Sequence, residues 1–198
     1  MKTLVLAMTF LAFGKAAFSQ LSYADSLTKA REKNEAEFLQ QVLNEEERKI
    51  HPEICFFPID TNFMVMADFT REVGPAFVMP MSKARTVYYR KVGYLSFKIH
   101  DTLCKLNVYQ NLDLAGKKAY KNYYFVPFKD GTTGISTYGA GKYMDCYFGK
   151  KAKKVKLDFN ASYHPYCAYS DRYSCPIVPP ENRIDVSVTA GECYVPHD

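Results

Sequence analysis

Between Val92 and Val108 apolar and polar side chains alternate on both sides of one turn, and this period of two constrains the fold more than any other feature of the chain. Leu95, Phe97 and Ile99 alternate with Tyr94, Ser96, Lys98 and His100; after a turn at Asp101-Thr102, Cys104, Leu106 and Val108 repeat the pattern. Successive side chains of a strand point to opposite faces, so this stretch reads as a hairpin with one buried and one wet face. From Ile54 onward, runs of β-branched and aromatic residues are interrupted by turn residues at the spacing of an antiparallel architecture. A further hairpin is expected from Tyr123 to Phe148, with Asp130-Gly131 as its turn signal. The last quarter holds Pro165, Pro176, Pro179, Pro180 and Gly191, and reads as ordered loop closed by a strand at Ile184 to Val188.

The first fifty residues have a different texture. Lys2, an apolar run from Thr3 to Phe13, and the small residues Ala17 and Ser19 in the order of a cleavage site predict a secretory signal peptide over residues 1–19. The apolar run is too short for a membrane span, which needs about 20 residues, and no second stretch in the mature chain approaches that length. No Cys follows the expected cut, which disfavours a lipid anchor. Ser22 to about Glu47 lacks Gly and Pro and opens with a capping-box-like Ser22 and Asp25, so it reads as a helix with a narrow apolar stripe (Leu27, Ala30, Phe38, Val42, Leu43). The expected organisation is one domain over 20–198, with a helical lead-in at 20–50 and a β-rich core at 54–198. The expected class is α+β: a mostly antiparallel meander or barrel-like sheet, an N-terminal helix and a long ordered Pro-rich C-terminal loop. An apolar fraction of 47% and 24% charged residues exclude a disordered or fibrous chain.

Charge is uneven. Residues 110–156 carry ten Lys against three Asp, while residues 157–198 carry two Arg against six Asp or Glu. The densest cluster is Lys150, Lys151, Lys153, Lys154 and Lys156, just after Gly149, which reads as an exposed turn or as a patch for an anionic glycan or lipid headgroup. An exported chain without a recognisable nucleic-acid module is not expected to bind nucleic acid.

Two blocks in the second half are more particular than periodicity requires. The first runs Tyr123-Tyr124-Phe125-Val126-Pro127-Phe128-Lys129-Asp130, then Gly134, Thr137-Tyr138-Gly139 and Gly141-Lys142-Tyr143-Met144-Asp145. The second runs Leu157-Asp158-Phe159-Asn160, Tyr163, Pro165-Tyr166-Cys167-Ala168-Tyr169 and Tyr173-Ser174-Cys175-Pro176, then Pro179-Pro180-Glu181-Asn182 to Ala190-Gly191-Glu192. Together with Phe56-Phe57-Pro58-Ile59-Asp60, these blocks resemble domain of unknown function 1684, a family of bacteria and archaea. The resemblance covers most of the mature chain and implies one fold, without an activity. Lys142 stands where the family usually has Arg, Ser136 where Glu is common and His164 where Asn is common.

The C-terminal block supports three chemistries. In the first, Cys167 and Cys175 form a disulfide that staples the Pro-rich loop, and the neighbouring carboxylates and amides satisfy its backbone. In the second, those thiolates and His164 hold a metal, although the cysteine spacing is not that of a zinc site. In the third, Asp158, Glu181 or Glu192 serve a hydrolase as acid and base, with Tyr138 or Asn160 holding a developing charge. No nucleophile elbow, phosphate loop or paired-His helix is present. Asp130, Tyr138, Asp158, Asn160, Glu181, Asn182 and Glu192 therefore form the candidate site cluster, with the Cys167–Cys175 disulfide and without metal or cofactor. Cys104 shares the face of Leu106 and Val108 and reads as a small hydrophobe. The pairing of Cys55, Cys104, Cys146 and Cys193 stays open. His51, His100 and His197 read as solvated loop residues, and Asn160-Ala161-Ser162 is a glycosylation sequon. The expectation is a protein exported to the periplasm or the extracellular space, a non-catalytic binding or structural protein of the periplasm or cell envelope, with an envelope protein or an anionic glycan as partner. The alternative is a hydrolase with its site under the C-terminal loop.

Overall fold

The computed structural model describes residues 3–194, with side chains from Ser22 onward. Met1, Lys2, the side chains of the expected signal peptide, and His197 lie outside the described residues. The chain divides into two compact units, Met1–Asn44 and Glu45–Asp198. The first is a single helix, α1 (Thr3–Gln41), carrying an exposed i,i+4 pair between Lys33 and Glu37 at 3.8 Å. The helix expected over 22–47 therefore stops earlier. A second helix, α2 (Glu45–Ile50), begins with Glu45, Glu46 and Glu47, three carboxylates that favour a fresh N-terminus at that point. Among the described residues no helix is long and apolar enough to cross a membrane.

The second unit is built on an antiparallel sheet curled into a half-barrel. Its strands are β1 (Met64–Arg71), β2 (Ala76–Val78), β3 (Tyr88–Ile99), β4 (Thr102–Asn111), β5 (Tyr123–Phe128), β6 (Lys142–Tyr147) and β7 (Lys154–Asp158). Their order across the sheet is β6-β5-β4-β3-β1-β7, with β2 added beside β3. The β3–β4 hairpin is the one the alternation predicts. Its loop falls at His100-Asp101, one residue earlier than expected, with His100 in the left-handed region at φ 51°. A bulge between Lys91 and Gly93 shifts the register, so both Val92 and Leu95 reach the same core.

Two apolar cores form on opposite faces of the sheet. The larger takes Leu95, Phe97 and Ile99 with Leu106, Val108, Val126, Phe128, Met144 and Leu157. The smaller takes the opposite parity, Tyr89, Tyr109, Phe125 and Tyr143, under Met79 and Val178. Residues 124–128 are buried without interruption for that reason. Cys104 and Cys146 belong to the larger core as small hydrophobes, and burial raises both thiols, Cys146 to about 12. The outer strand β7 alternates exposed Lys154 and Lys156 with buried Val155 and Leu157, and its lysines discourage edge-to-edge pairing.

The expected hairpin at Tyr123–Phe148 is present as β5 and β6, but residues 129–141 between them form a long loop rather than a tight turn at Asp130-Gly131. Residues 162–194 form the expected ordered loop. The strand anticipated at Ile184 to Val188 does not form. That segment instead runs beside the β5 exit, with Ile184 N–H bonding Lys129 C=O at 2.9 Å and Gly131 N–H bonding Val186 C=O at 3.0 Å.

Candidate functional site

The long β5–β6 loop and the C-terminal segment meet over the larger core, and their polar residues are held there mainly by backbone groups. Asp130 is fully buried at the end of β5. Its Oδ1 accepts from the N–H of Thr132 at 2.6 Å and from the Thr132 hydroxyl, while its Oδ2 faces Lys142 Nζ at 3.3 Å. Lys142 is 1% exposed, and its ammonium also donates to Val188 C=O at 2.9 Å and Ala190 C=O at 3.2 Å. Burial lowers the Lys142 pKa, and the Asp130 carboxylate opposes that shift.

Glu192 anchors a second cluster. Its Oε2 accepts from the backbone N–H of His164 at 2.6 Å and from the Tyr169 hydroxyl at 2.9 Å. His164 is buried, with Nε2 receiving the Tyr138 N–H at 3.3 Å, so its ring proton sits on Nδ1, 3.6 Å from Glu192. Burial, aided by the nearby Lys142 charge, pushes the imidazole pKa down to about 3, and the ring is neutral. Gly191, just before Glu192, adopts φ +77°, and a Cβ there would lie 2.4 Å from Ser162 C=O.

Asn160 clamps a distant peptide. Its Oδ1 accepts Asp60 N–H at 3.0 Å, and its Nδ2 donates to Asp60 C=O at 2.8 Å and to Asp158 at 3.2 Å. Asp158 in turn caps the following turn through Asn160 N–H at 3.1 Å. At 1% exposure Asn160 cannot carry a glycan in the folded chain, whatever its sequon suggests. Asn182 is equally buried and bonds Asn107 N–H, Asn107 C=O and Pro127 C=O. The Tyr138 hydroxyl donates to Cys167 C=O at 3.4 Å.

Glu181 differs. It is exposed, accepts the Tyr109 hydroxyl at 3.0 Å and lines an open groove of about 400 Å³ with Lys91, Lys105, Asn107, Arg183 and Asp185. Of the seven candidates it alone lines this groove; the rest are held in internal networks. Of the three carboxylates weighed as acid and base, Asp158 and Glu192 lie in the internal networks and Glu181 lines the groove. Lys142 and His164 enter the networks although the sequence marks them only as departures from the family and, for His164, as a possible ligand. Lys142 lies at the parity of buried Met144 and Cys146 on β6, which is the signal for its burial.

The cysteines also differ from expectation. The disulfide lies between Cys55 and Cys193, whose Cα atoms are 5.0 Å apart, while Cys167 and Cys175 are free thiols. Pairing between the two chain segments explains the first: Phe57 N–H bonds Gly191 C=O at 3.0 Å, and Cys193 N–H bonds Cys55 C=O at 2.9 Å, which brings Cys55 and Cys193 side by side. The Cys167 loop is fastened by hydrogen bonds instead. Cys167 N–H donates to Cys175 Sγ at 3.2 Å, and Cys175 exchanges bonds with Ser82 at 2.8 and 2.9 Å. Among the described residues no three His, Cys, Asp or Glu side chains gather as metal ligands.

This fold is shared. The solution structure of an uncharacterized protein from Haloarcula marismortui is similar with a TM-score of 0.68 at 29% identity, over 89% of this chain and 96% of that one. No curated protein matches the chain. The family model described as protein of unknown function DUF1684 matches residues 50–193, which contain both sequence blocks and every network above, and the chain belongs to that family.

Proposed function

We propose that the chain is exported and acts in the periplasm or cell envelope as a non-catalytic binding or structural protein. The observation that carries this reading is the state of the polar cluster: Asp130, Asp158, Asn160, Asn182 and Glu192 are engaged by backbone groups, by each other and by Lys142. Groups held in this way support a structural role for the cluster. The groove beside Glu181 and the exposed lysines Lys150, Lys151 and Lys153 give the surface two places for a partner, and an anionic glycan suits the second.

Two measurements test this. N-terminal sequencing of the protein from a fractionated cell is expected to begin at Gln20 in the exported fraction; an uncleaved chain in the cytosol overturns the export reading. The purified mature protein is then assayed against chromogenic esters, glycosides and phosphoesters. Turnover that Glu181→Gln abolishes would establish the hydrolase instead; equal background in both proteins supports the non-catalytic reading.

A further inference from the structure

The free thiols Cys167 and Cys175 lie together in the C-terminal loop, outside the two cores and apart from the chain's disulfide. They are not equivalent. Cys175 is buried, its sulfur receives the Cys167 N–H at 3.2 Å, and its own backbone is fixed to Ser82. Cys167 is only half-buried and follows exposed Tyr166. The Tyr138 hydroxyl bonds the Cys167 C=O at 3.4 Å. The neighbouring Cys175 thiol is the foremost group holding the Cys167 thiol below the ordinary thiol range in spite of burial. Cys175 is raised, because its thiol is the donor in that pair and because it is buried. The remaining thiols, Cys104 and Cys146, are buried in the apolar core and inert by comparison.

We propose that Cys167 and Cys175 form a reversible redox modification site, at which Cys167 attacks a low-molecular-weight disulfide and Cys175 resolves the adduct. The Cys167 thiolate forms a bond to one sulfur of the disulfide R–S–S–R; its S–S bond breaks and one RS⁻ leaves, to be protonated. Cys175 then loses its proton and attacks Cys167 Sγ, which breaks the mixed disulfide and releases the second RS⁻. Two protein thiols are oxidised to one disulfide, R–S–S–R is reduced to two RSH, and the two protons lost by the protein appear on those products. The oxidant must be small, because Cys167 is half-buried and the Tyr138 hydroxyl lies against its carbonyl. The protein is here the target of exchange, so the proposal goes beyond the non-catalytic reading and does not depend on it.

The test uses oxidised glutathione on the mature protein with its Cys55–Cys193 bridge intact, followed by alkylation and peptide mapping. Wild type is expected to end with an internal Cys167–Cys175 disulfide and no retained glutathione, reversed by dithiothreitol. Cys175→Ser is expected to retain one glutathione on Cys167, whereas Cys167→Ser reacts at Cys175 at least about tenfold more slowly. Equal reactivity of Cys175 in Cys167→Ser, glutathione retained by wild type, or a pair that resists reduction would each overturn the proposal. A measurement on wild type covers variants that fail to fold. The alkylation rate of Cys167 with iodoacetamide should reach half its maximum below pH ~8.5, the value of a free thiol, and a midpoint at or above that value refutes the assignment.

Discussion

Replacing Asn182 by alanine tests whether a side-chain amide substitutes for a missing peptide group in the sheet. β4 and β5 pair at Tyr109 and Phe125, which places Asn107 opposite Pro127 two residues further on. An antiparallel pair at that position would exchange two bonds, but Pro127 has no N–H to give. Asn182 fills the gap: its Oδ1 accepts Asn107 N–H at 2.9 Å, and its Nδ2 donates to Asn107 C=O at 3.0 Å and Pro127 C=O at 2.7 Å. Asn182→Ala strands one donor and two acceptors in a buried setting, at about 1–3 kcal/mol each. Partial closure of the strands would let Asn107 N–H reach Pro127 C=O and recover part of this, so we expect a loss of about 4 kcal/mol, or roughly 10 °C in Tm for a domain of this size. Urea unfolding followed by circular dichroism measures it, with an unchanged slope as the check on two-state behaviour. The decisive comparison is a cycle with Pro127→Val, which restores the backbone N–H. The double variant should lose at least about 1 kcal/mol less than the sum of the singles. A loss below about 1 kcal/mol for Asn182→Ala, or an additive cycle, would refute the surrogate-peptide argument.

Three further outcomes follow from the networks. Lys142→Met leaves the buried Asp130 carboxylate unpaired and should cost about 3–5 kcal/mol in the same urea assay, with part of the loss recovered by adding Asp130→Asn. His164 has a folded pKa of about 3, well below its ordinary 6.5, so the unfolded chain binds more protons across that interval. Stability is therefore complete above pH ~6.5 and falls toward pH ~3, by at most about 1.4 kcal/mol per pH unit from this group. Thermal melts from pH 7 to 4 should show that slope, and His164→Gln should flatten it; an unchanged slope would rule His164 out as its source. Cys55→Ser removes a bridge between residues 138 apart, and the chain-entropy argument puts its cost at about 5 kcal/mol, measured by unfolding with and without reductant.

The sheet was legible because its information is local. A period of two from Leu95 to Val108 names the buried face, and the structure places Leu95, Phe97, Ile99, Cys104, Leu106 and Val108 in one core. What local pattern could not show was anything that depends on a distant partner. The helix over 22–47 has no internal breaker, yet the chain starts a new helix at Glu45. Ile184 to Val188 has the composition of a strand, but it runs along the irregular exit of β5 rather than a free sheet edge. The cysteines make the same point: closeness in sequence favoured Cys167 with Cys175, whereas pairing of Phe56 with Glu192 brings Cys55 to Cys193.

The composition of the candidate cluster has a physical explanation in the backbone of its own block. Residues 159–194 contain no strand and only two single 3₁₀ turns, so most of their backbone groups cannot be satisfied by a ladder. A segment of that kind must supply its own acceptors and donors from side chains, and Asp, Asn, Ser, Glu and Tyr are the residues that do so. These are also the residues of acid–base catalysis, which is why an ordered loop and an active site have the same composition. Geometry separates them. Asp158 caps the turn that begins two residues later, Asn160 holds the Asp60 peptide by both its groups, and Glu192 takes the His164 N–H. Each satisfies a backbone group with no ladder partner, and that requirement alone accounts for the residue type at each position. Two residues in the block whose side chains such a requirement does not account for are Glu181, which faces the groove, and Cys167, a half-buried free thiol beside Cys175. Chemistry beyond the fold's own needs is therefore to be sought at those two positions.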